Sequence, residues 1–122
     1  MARKDFVEMM EEWPESWAGT DEDIPMGRGL VAELRPFVAF MEKKGLAHKT
    51  LRNHVNNLWQ IGGDLISSLN YDPELRKKSP RELLLDAIAV GEAPLSRHAT
   101  ENEQRSLDAT ARKLLRFMQG KG

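Results

Sequence analysis

Residues 40–59 read FMEKKGLAHKTLRNHVNNLW, a pattern typical of two helices joined by a short turn. Gly45 is expected to close the first helix, because glycine readily adopts the left-handed conformation found at many helix ends. Leu46 can then pack back on the last helical turn. The second helix is predicted to run from about His48 to Asn70, because apolar residues recur along one stripe at helical spacing: Leu51, Val55, Leu58, Leu65 and Leu69.

A helix is also predicted before this turn, from about Gly29 or Leu30 to Lys44, because apolar residues recur there at intervals of three and four. Pro36 interrupts the pattern, since proline removes a backbone donor and clashes with the preceding turn. We therefore expect either a kink at Pro36 or a helix that begins near Arg35.

Two capping boxes mark the start of two further helices. In each, a hydroxyl residue stands three positions before a glutamate: Ser79 with Glu82, and Thr100 with Glu103. These helices are expected to end at Gly91 and Gly120. No stretch alternates with a strand period for long enough to predict a sheet. The predicted fold is all-α, a compact bundle of four to five helices.

A pair of glycines, Gly62 and Gly63, falls within the long central helix. Glycine inside a helix costs about 1 kcal/mol relative to alanine. We therefore expect the pair either to let another part of the chain approach closely or to permit a bend.

Residues 1–28 are predicted to form an acidic leader, and residues 29–122 the helical bundle. Residues 1–26 hold eight acidic and two basic side chains, whereas the other 96 residues hold 11 acidic and 16 basic ones. Such asymmetry indicates an electrostatic role, toward an external polyanion or between the two parts of the chain. Residues 3–12 fit a short amphipathic helix that ends at Pro14, followed by a loop to Gly29. Trp13 and Trp17 are expected to pack on the bundle, because each carries a large apolar area.

The composition bounds the class of protein. A chain of 122 residues is long enough for one domain with a single core. It has no cysteine, which excludes disulfides and thiolate metal sites. No apolar run approaches the roughly 20 residues of a membrane span, and the start lacks the apolar region of a signal peptide, so a cytoplasmic protein is expected. The three histidines lack metal-spaced partners and no Gly-rich phosphate loop is present, so we expect no enzyme, cofactor or small-molecule substrate.

Residues 43–60 are the strongest candidates for a binding site, and double-stranded DNA is the predicted partner. Arginine can bind guanine, and asparagine or glutamine adenine, through paired hydrogen bonds in the major groove. Such residues recur on one polar face of the long helix: Lys49, Arg52, Asn53, Asn56 and Gln60. The turn before it offers candidate phosphate ligands, namely Lys43, Lys44 and His48.

A second basic cluster surrounds the start of the helix that the Ser79 capping box opens: Arg76, Lys77, Lys78 and Arg81. Because helix N-termini favour anions, this cluster is a further candidate for phosphate contacts. The basic residues of the last helix, Arg112, Lys113 and Arg116, are instead interpreted as complementing the helix dipole.

The chain resembles the core-binding domain, a SAM-like helical bundle, of the tyrosine recombinases or phage integrases. The resemblance rests on Gly45, the basic link around it and the opening Thr50-Leu51-Arg52-Asn53. It implies that Lys49, Arg52 and Asn53 lie against DNA. The family's catalytic residues have no counterpart here, since the single tyrosine, Tyr71, lies beside a turn. The resemblance therefore implies binding without cleavage, as an accessory protein, regulator or competitor at a DNA site. The second half of the chain is more similar to small bacterial proteins.

Three alternatives remain open at the level of the sequence. The polar helix face can be simply the solvated side of a bundle. The chain can be a protein-interaction module, like an inhibitor or antitoxin, whose leader at residues 1–26 binds a basic partner through Trp13 and Trp17. The leader can also fold over the basic face of its own bundle and screen it from DNA.

Overall fold

The computed structural model describes residues 6–96 and 99–120, and every regular element within them is helical. Six α-helices follow one another in these ranges: α1 (Phe6–Met9), α2 (Trp13–Trp17), α3 (Ile24–Lys43), α4 (His48–Tyr71), α5 (Pro80–Ile88) and α6 (Glu101–Met118). Short 3₁₀ turns lie at Met10–Glu12, Asp21–Asp23 and Pro73–Lys77. The predicted all-α bundle is thus confirmed. Among the described helices, none has the length and apolar character that a bilayer crossing requires.

The first described segment is helical from Phe6 to Trp17, which corrects the prediction that Pro14 ends a helix. Pro14 instead occupies the first turn of α2. At that position proline is tolerated, because the missing amide would have no partner inside the helix. The earlier part of the predicted helix, residues 3–5, lies outside the described residues.

Helix α3 begins at Ile24, earlier than predicted, and continues through Pro36. Gly27 and Gly29 suggested a loop, but both serve close packing between elements. A Cβ on Gly27 would lie 3.1 Å from the Cα of Pro14, and one on Gly29 would lie 2.2 Å from Cγ of Pro80. The predicted boundary between leader and bundle, at residues 28 and 29, falls inside this helix.

The remaining helix boundaries follow the capping signals. Ser79 and Glu82 form a capping box at α5, and Thr100 and Glu103 form one at α6, as predicted. Gly45, Gly91 and Gly120 have the positive φ expected beyond a helix end. Helix α5 itself ends at Ile88, slightly before the predicted Val90.

Helices α3, α4, α5 and α6 share one core with the leader. Each contributes fully buried apolar side chains, among them Leu34, Phe37, Leu58, Ile66, Leu84, Ile88 and Leu114. From the leader, Met10 and Trp13 are buried in the same cluster. Because its apolar residues are part of the core, the leader contributes to folding as well as to charge.

Trp17 packs on the glycine pair of α4. Its indole Nε1 donates a hydrogen bond to the carbonyl oxygen of Trp59 at 2.9 Å. A Cβ on Gly62 would lie 2.3 Å from Cζ2 of the Trp17 ring, and one on Gly63 would lie 3.3 Å from its Cδ1. The packing of Trp13 and Trp17 on the bundle is confirmed, and the glycines permit the close approach of a side chain.

Replacing Gly62 with alanine is expected to lower the free energy of unfolding by about 1–3 kcal/mol, because the added methyl group overlaps the Trp17 ring. In a Trp17→Ala background the same change should be neutral or stabilising, since alanine favours the helix by about 1 kcal/mol over glycine. Urea unfolding of the four proteins in this double-mutant cycle measures the difference. A Gly62→Ala effect of the same size in both backgrounds would contradict the packing described.

Candidate nucleic-acid interface

The residues predicted to contact DNA lie at the α3–α4 turn and along the first half of α4. Seven are exposed: Lys43, Lys44, His48, Lys49, Arg52, Asn53 and Asn56. On α4, positions 49, 52, 53 and 56 share one face, because residues three and four apart are neighbours on a helix surface. The structure therefore brings most of the predicted site together on one continuous surface.

The turn itself is tightly built. The amide of Lys44 donates to the carbonyl oxygens of Phe40 and Met41, each at 3.2 Å, and Gly45 closes the helix with φ +72°. Helix α4 then starts with a bond from the amide of Leu51 to the carbonyl oxygen of Ala47 at 2.9 Å. Only three residues therefore separate the end of α3 from the cap of α4, so the basic groups on the two helices stay close together.

Aromatic contacts position two of the side chains at this turn. The Nζ atom of Lys44 lies 4.9 Å from the centroid of the Phe40 ring, within the range of a cation–π contact. The ring of Phe6 stacks on His48 with centroids 5.4 Å apart, so Phe6 of the leader borders the site. Arg52 Nη2 lies 3.1 Å from His48 Nε2. Because arginine can only donate, His48 Nε2 is the acceptor of this bond.

The two predicted basic clusters differ in how their charges are used. In the second cluster, Arg76 pairs with Asp23 at 2.8 Å, Lys77 with Glu74 at 2.9 Å and Lys78 with Asp86 at 2.7 Å. Within residues 6–96 and 99–120, no ion pair involves the cations of the first cluster, Lys43, Lys44, Lys49 and Arg52. The first cluster thus keeps its positive charge available to an external anion.

The ion pair of Arg76 is structural, because its partner Asp23 is fully buried. Burial by itself raises the pKa of Asp23, but the amide of Gly19, the Arg76 guanidinium and the amide of Thr20 outweigh it. The pKa of this carboxyl group therefore lies below its usual value. Asp23 and Arg76 tie the leader to the segment after α4.

Lys113 of α6 is an exposed cation near His54 of α4. Helix α6 is anchored to α4 by a 2.8 Å bond between His54 Nδ1 and Thr110 Oγ1. Burial, together with the nearby charge of Lys113, lowers the pKa of His54. The side chain of Arg112 instead donates a hydrogen bond from Nη1 to the carbonyl oxygen of Gly91 at 3.5 Å. Arg112 and Lys113 are adjacent in the sequence, and the packing of α6 on α4 gives them different surroundings.

Gln60 faces a groove instead of the basic surface. Its Nε2 lies 3.2 Å from both Asp64 Oδ1 and Ser96 Oγ, and the side chain is half-buried. The groove, about 940 Å³ in volume, lies between the second half of α4 and the segment that leads into α6. Asn56 lines its near end. The predicted polar face of α4 is therefore divided between a basic surface and this groove.

In the part of the chain that the structure describes, no group of three or more histidine, aspartate or glutamate side chains could hold a metal ion. Comparisons with protein-family models, with curated proteins and with solved structures find no match. The likeness to recombinase core-binding domains therefore stays a prediction from the sequence.

Replacing Arg76 with alanine is expected to lower the free energy of unfolding by about 2–3 kcal/mol at neutral pH, because Asp23 would stay buried without its counter-charge. Lys77→Ala is the matched control and should change stability very little, since its ion pair is exposed. Chemical denaturation measured by circular dichroism compares the two variants.

The effect of Arg76→Ala should also depend on pH. Because the native pKa of Asp23 is lowered, its stabilising contribution is complete above the unfolded-state pKa of about 3.9 and is lost as the pH falls through the native value. The free energies of unfolding of Arg76→Ala and of the unmodified protein should therefore converge in acid. Equal stability of Arg76→Ala and Lys77→Ala at neutral pH would contradict the structural role of the pair.

Proposed function

We propose that this protein is a non-catalytic module that binds double-stranded DNA through the α3–α4 turn and the first half of α4. One observation carries the proposal: the exposed cations at the α3–α4 turn and on the first half of α4 take part in no ion pair among the described residues. We call Lys43, Lys44, Lys49 and Arg52 the basic surface.

Phosphates are the natural ligands of the basic surface. Each lysine or arginine that neutralises a phosphate releases condensed counterions, which supplies much of the affinity of DNA-binding proteins. The net charge of −1 for the whole chain does not oppose this role. Local charge governs the contact, because interactions beyond about 8–10 Å are largely screened at physiological salt.

We assign base recognition to Arg52 and Asn53, and also to Asn56, which follows them on α4. These residue types form the paired hydrogen bonds that distinguish guanine and adenine in the major groove. All three are exposed on α4, and the major groove is wide enough to admit a helix. The bond between Arg52 and His48 holds the guanidinium beside the turn, and binding to a base would replace that bond.

The alternative of a leader that binds a protein partner receives less support. It requires Trp13 and Trp17 to be available, but Trp13 is 7% exposed and the Trp17 indole is bonded to α4. Asp23, one of the leader's acidic residues, is buried against Arg76. A deletion of residues 1–26 would also remove core side chains, so point substitutions give the cleaner test of function.

Fluorescence anisotropy with a labelled duplex of about two helical turns tests the proposal. The double substitution Lys49→Ala and Arg52→Ala should weaken binding and reduce the slope of log K against log salt by about 1.8, or roughly 0.9 for each lost phosphate contact. The matched control, Lys77→Ala with Lys78→Ala, removes the same charge from cations that are already paired and should leave the slope unchanged.

Asn53→Ala separates base recognition from charge. It should alter the preference among duplexes of different sequence and leave the salt slope unchanged, because asparagine carries no charge. Absence of salt-dependent binding by the unmodified protein at low salt would contradict the proposal. An equal loss of affinity in the control double variant would contradict the choice of surface.

A further inference from the structure

The groove beside α4 has a different chemical character from the basic surface. Of the large apolar side chains that are most exposed in the described chain, three line it: Trp59 at 41%, Tyr71 at 75% and Leu95 at 88% exposure. Concentrations of exposed apolar surface usually mark sites of interaction. The apolar rim therefore indicates a ligand with apolar groups of its own.

The polar lining of the groove is acidic. Asp64 and Glu103 contribute carboxylates, and the described lining residues include no lysine or arginine. Phosphates would be repelled here, whereas a cationic group would be attracted. The groove and the basic surface are thus complementary to ligands of opposite charge.

Asp64 has an unused acceptor. Its Oδ1 lies 3.2 Å from Gln60 Nε2, but Oδ2 is buried and has no hydrogen-bond partner among the described residues. Burial raises the pKa of Asp64, although the Gln60 amide and the Ser96 hydroxyl act in the opposite direction. A buried acceptor without a donor is costly, and because Oδ2 is closed to solvent, a ligand donor would remove that cost only after the carboxylate turns toward the groove.

We propose that this groove binds an arginine-containing segment of a partner protein, whose guanidinium donates to Asp64 and whose apolar side chains contact Trp59 and Leu95. Arginine fits the observations better than lysine does. Its planar group donates in a fork that matches a carboxylate and also stacks on aromatic rings. The assignment goes beyond DNA binding and depends on none of the residues of the basic surface.

Isothermal titration calorimetry with a short capped peptide of alternating leucine and arginine tests this assignment. The reference peptide carries citrulline, which has the shape of arginine without its charge. It should bind the unmodified protein more weakly than the arginine peptide does, by a factor of about ten or more. Asp64→Asn should reduce the affinity for the arginine peptide by a similar factor. Glu42→Gln removes an equal charge from the end of α3, outside the groove, and should have no effect.

Trp59→Ala provides a second variant, in case Asp64→Asn perturbs folding. It should also lower the affinity for the arginine peptide. Equal binding of the arginine and citrulline peptides, or no measurable binding of either, would overturn the assignment. So would a single-stranded oligonucleotide that binds the unmodified protein and loses its affinity in Trp59→Ala, because the groove would then be a nucleic-acid site. Lys49→Ala with Arg52→Ala should leave peptide binding intact, which separates this test from that of DNA binding.

Discussion

The contact between the Trp17 ring and the glycine surface of α4 is the constraint on which the two candidate surfaces depend. Helix α4 carries the basic surface on its first half and much of the groove lining on its second half, and Trp17 packs on the helix at Gly62 and Gly63. A side chain on Gly62 would occupy the position of the indole, so glycine is required at this position of α4 for Trp17 to pack there. The buried pair of Asp23 and Arg76 provides a second attachment just beyond the end of α4. Together they make the leader part of the scaffold that holds α4.

Electrostatic pairing then separates basic residues that look equivalent in the sequence. The cations after α4 lie within reach of carboxylates, and Arg76 in particular neutralises a buried one. The cations around the α3–α4 turn have no such partners among the described residues. Charge that is already paired contributes little to binding a polyanion, because a phosphate would have to displace the carboxylate. The two candidate surfaces thus differ in charge: the basic surface holds cations without ion pairs among the described residues, and the groove holds the carboxylates of Asp64 and Glu103.

Local signals in the sequence were sufficient for most of the fold. Helical spacing of apolar residues predicted α4, and the capping boxes of Ser79 and Thr100 predicted the starts of α5 and α6. The start of α3 was predicted wrongly, because Gly27 and Gly29 have the local signature of a loop whereas their actual role is contact with Pro14 and Pro80. The polar face of α4 was also visible from spacing alone. Its division at Gln60, the pairing of Arg76 with Asp23 and the approach of Lys113 arise from residues far apart in the chain, which no local pattern reveals.

Duplex DNA bound at the basic surface would leave the paired cations after α4 and the groove without contact. The most direct test is titration of the ¹⁵N-labelled protein with duplex DNA, followed through backbone amide shifts in NMR spectra. We expect the largest shifts from Lys43 to Asn53, and they should decrease as salt is added. Shifts centred on residues 74–78 or on Asp64, Leu95 and Glu103 of the groove, or no shifts at low salt, would contradict DNA binding at the basic surface.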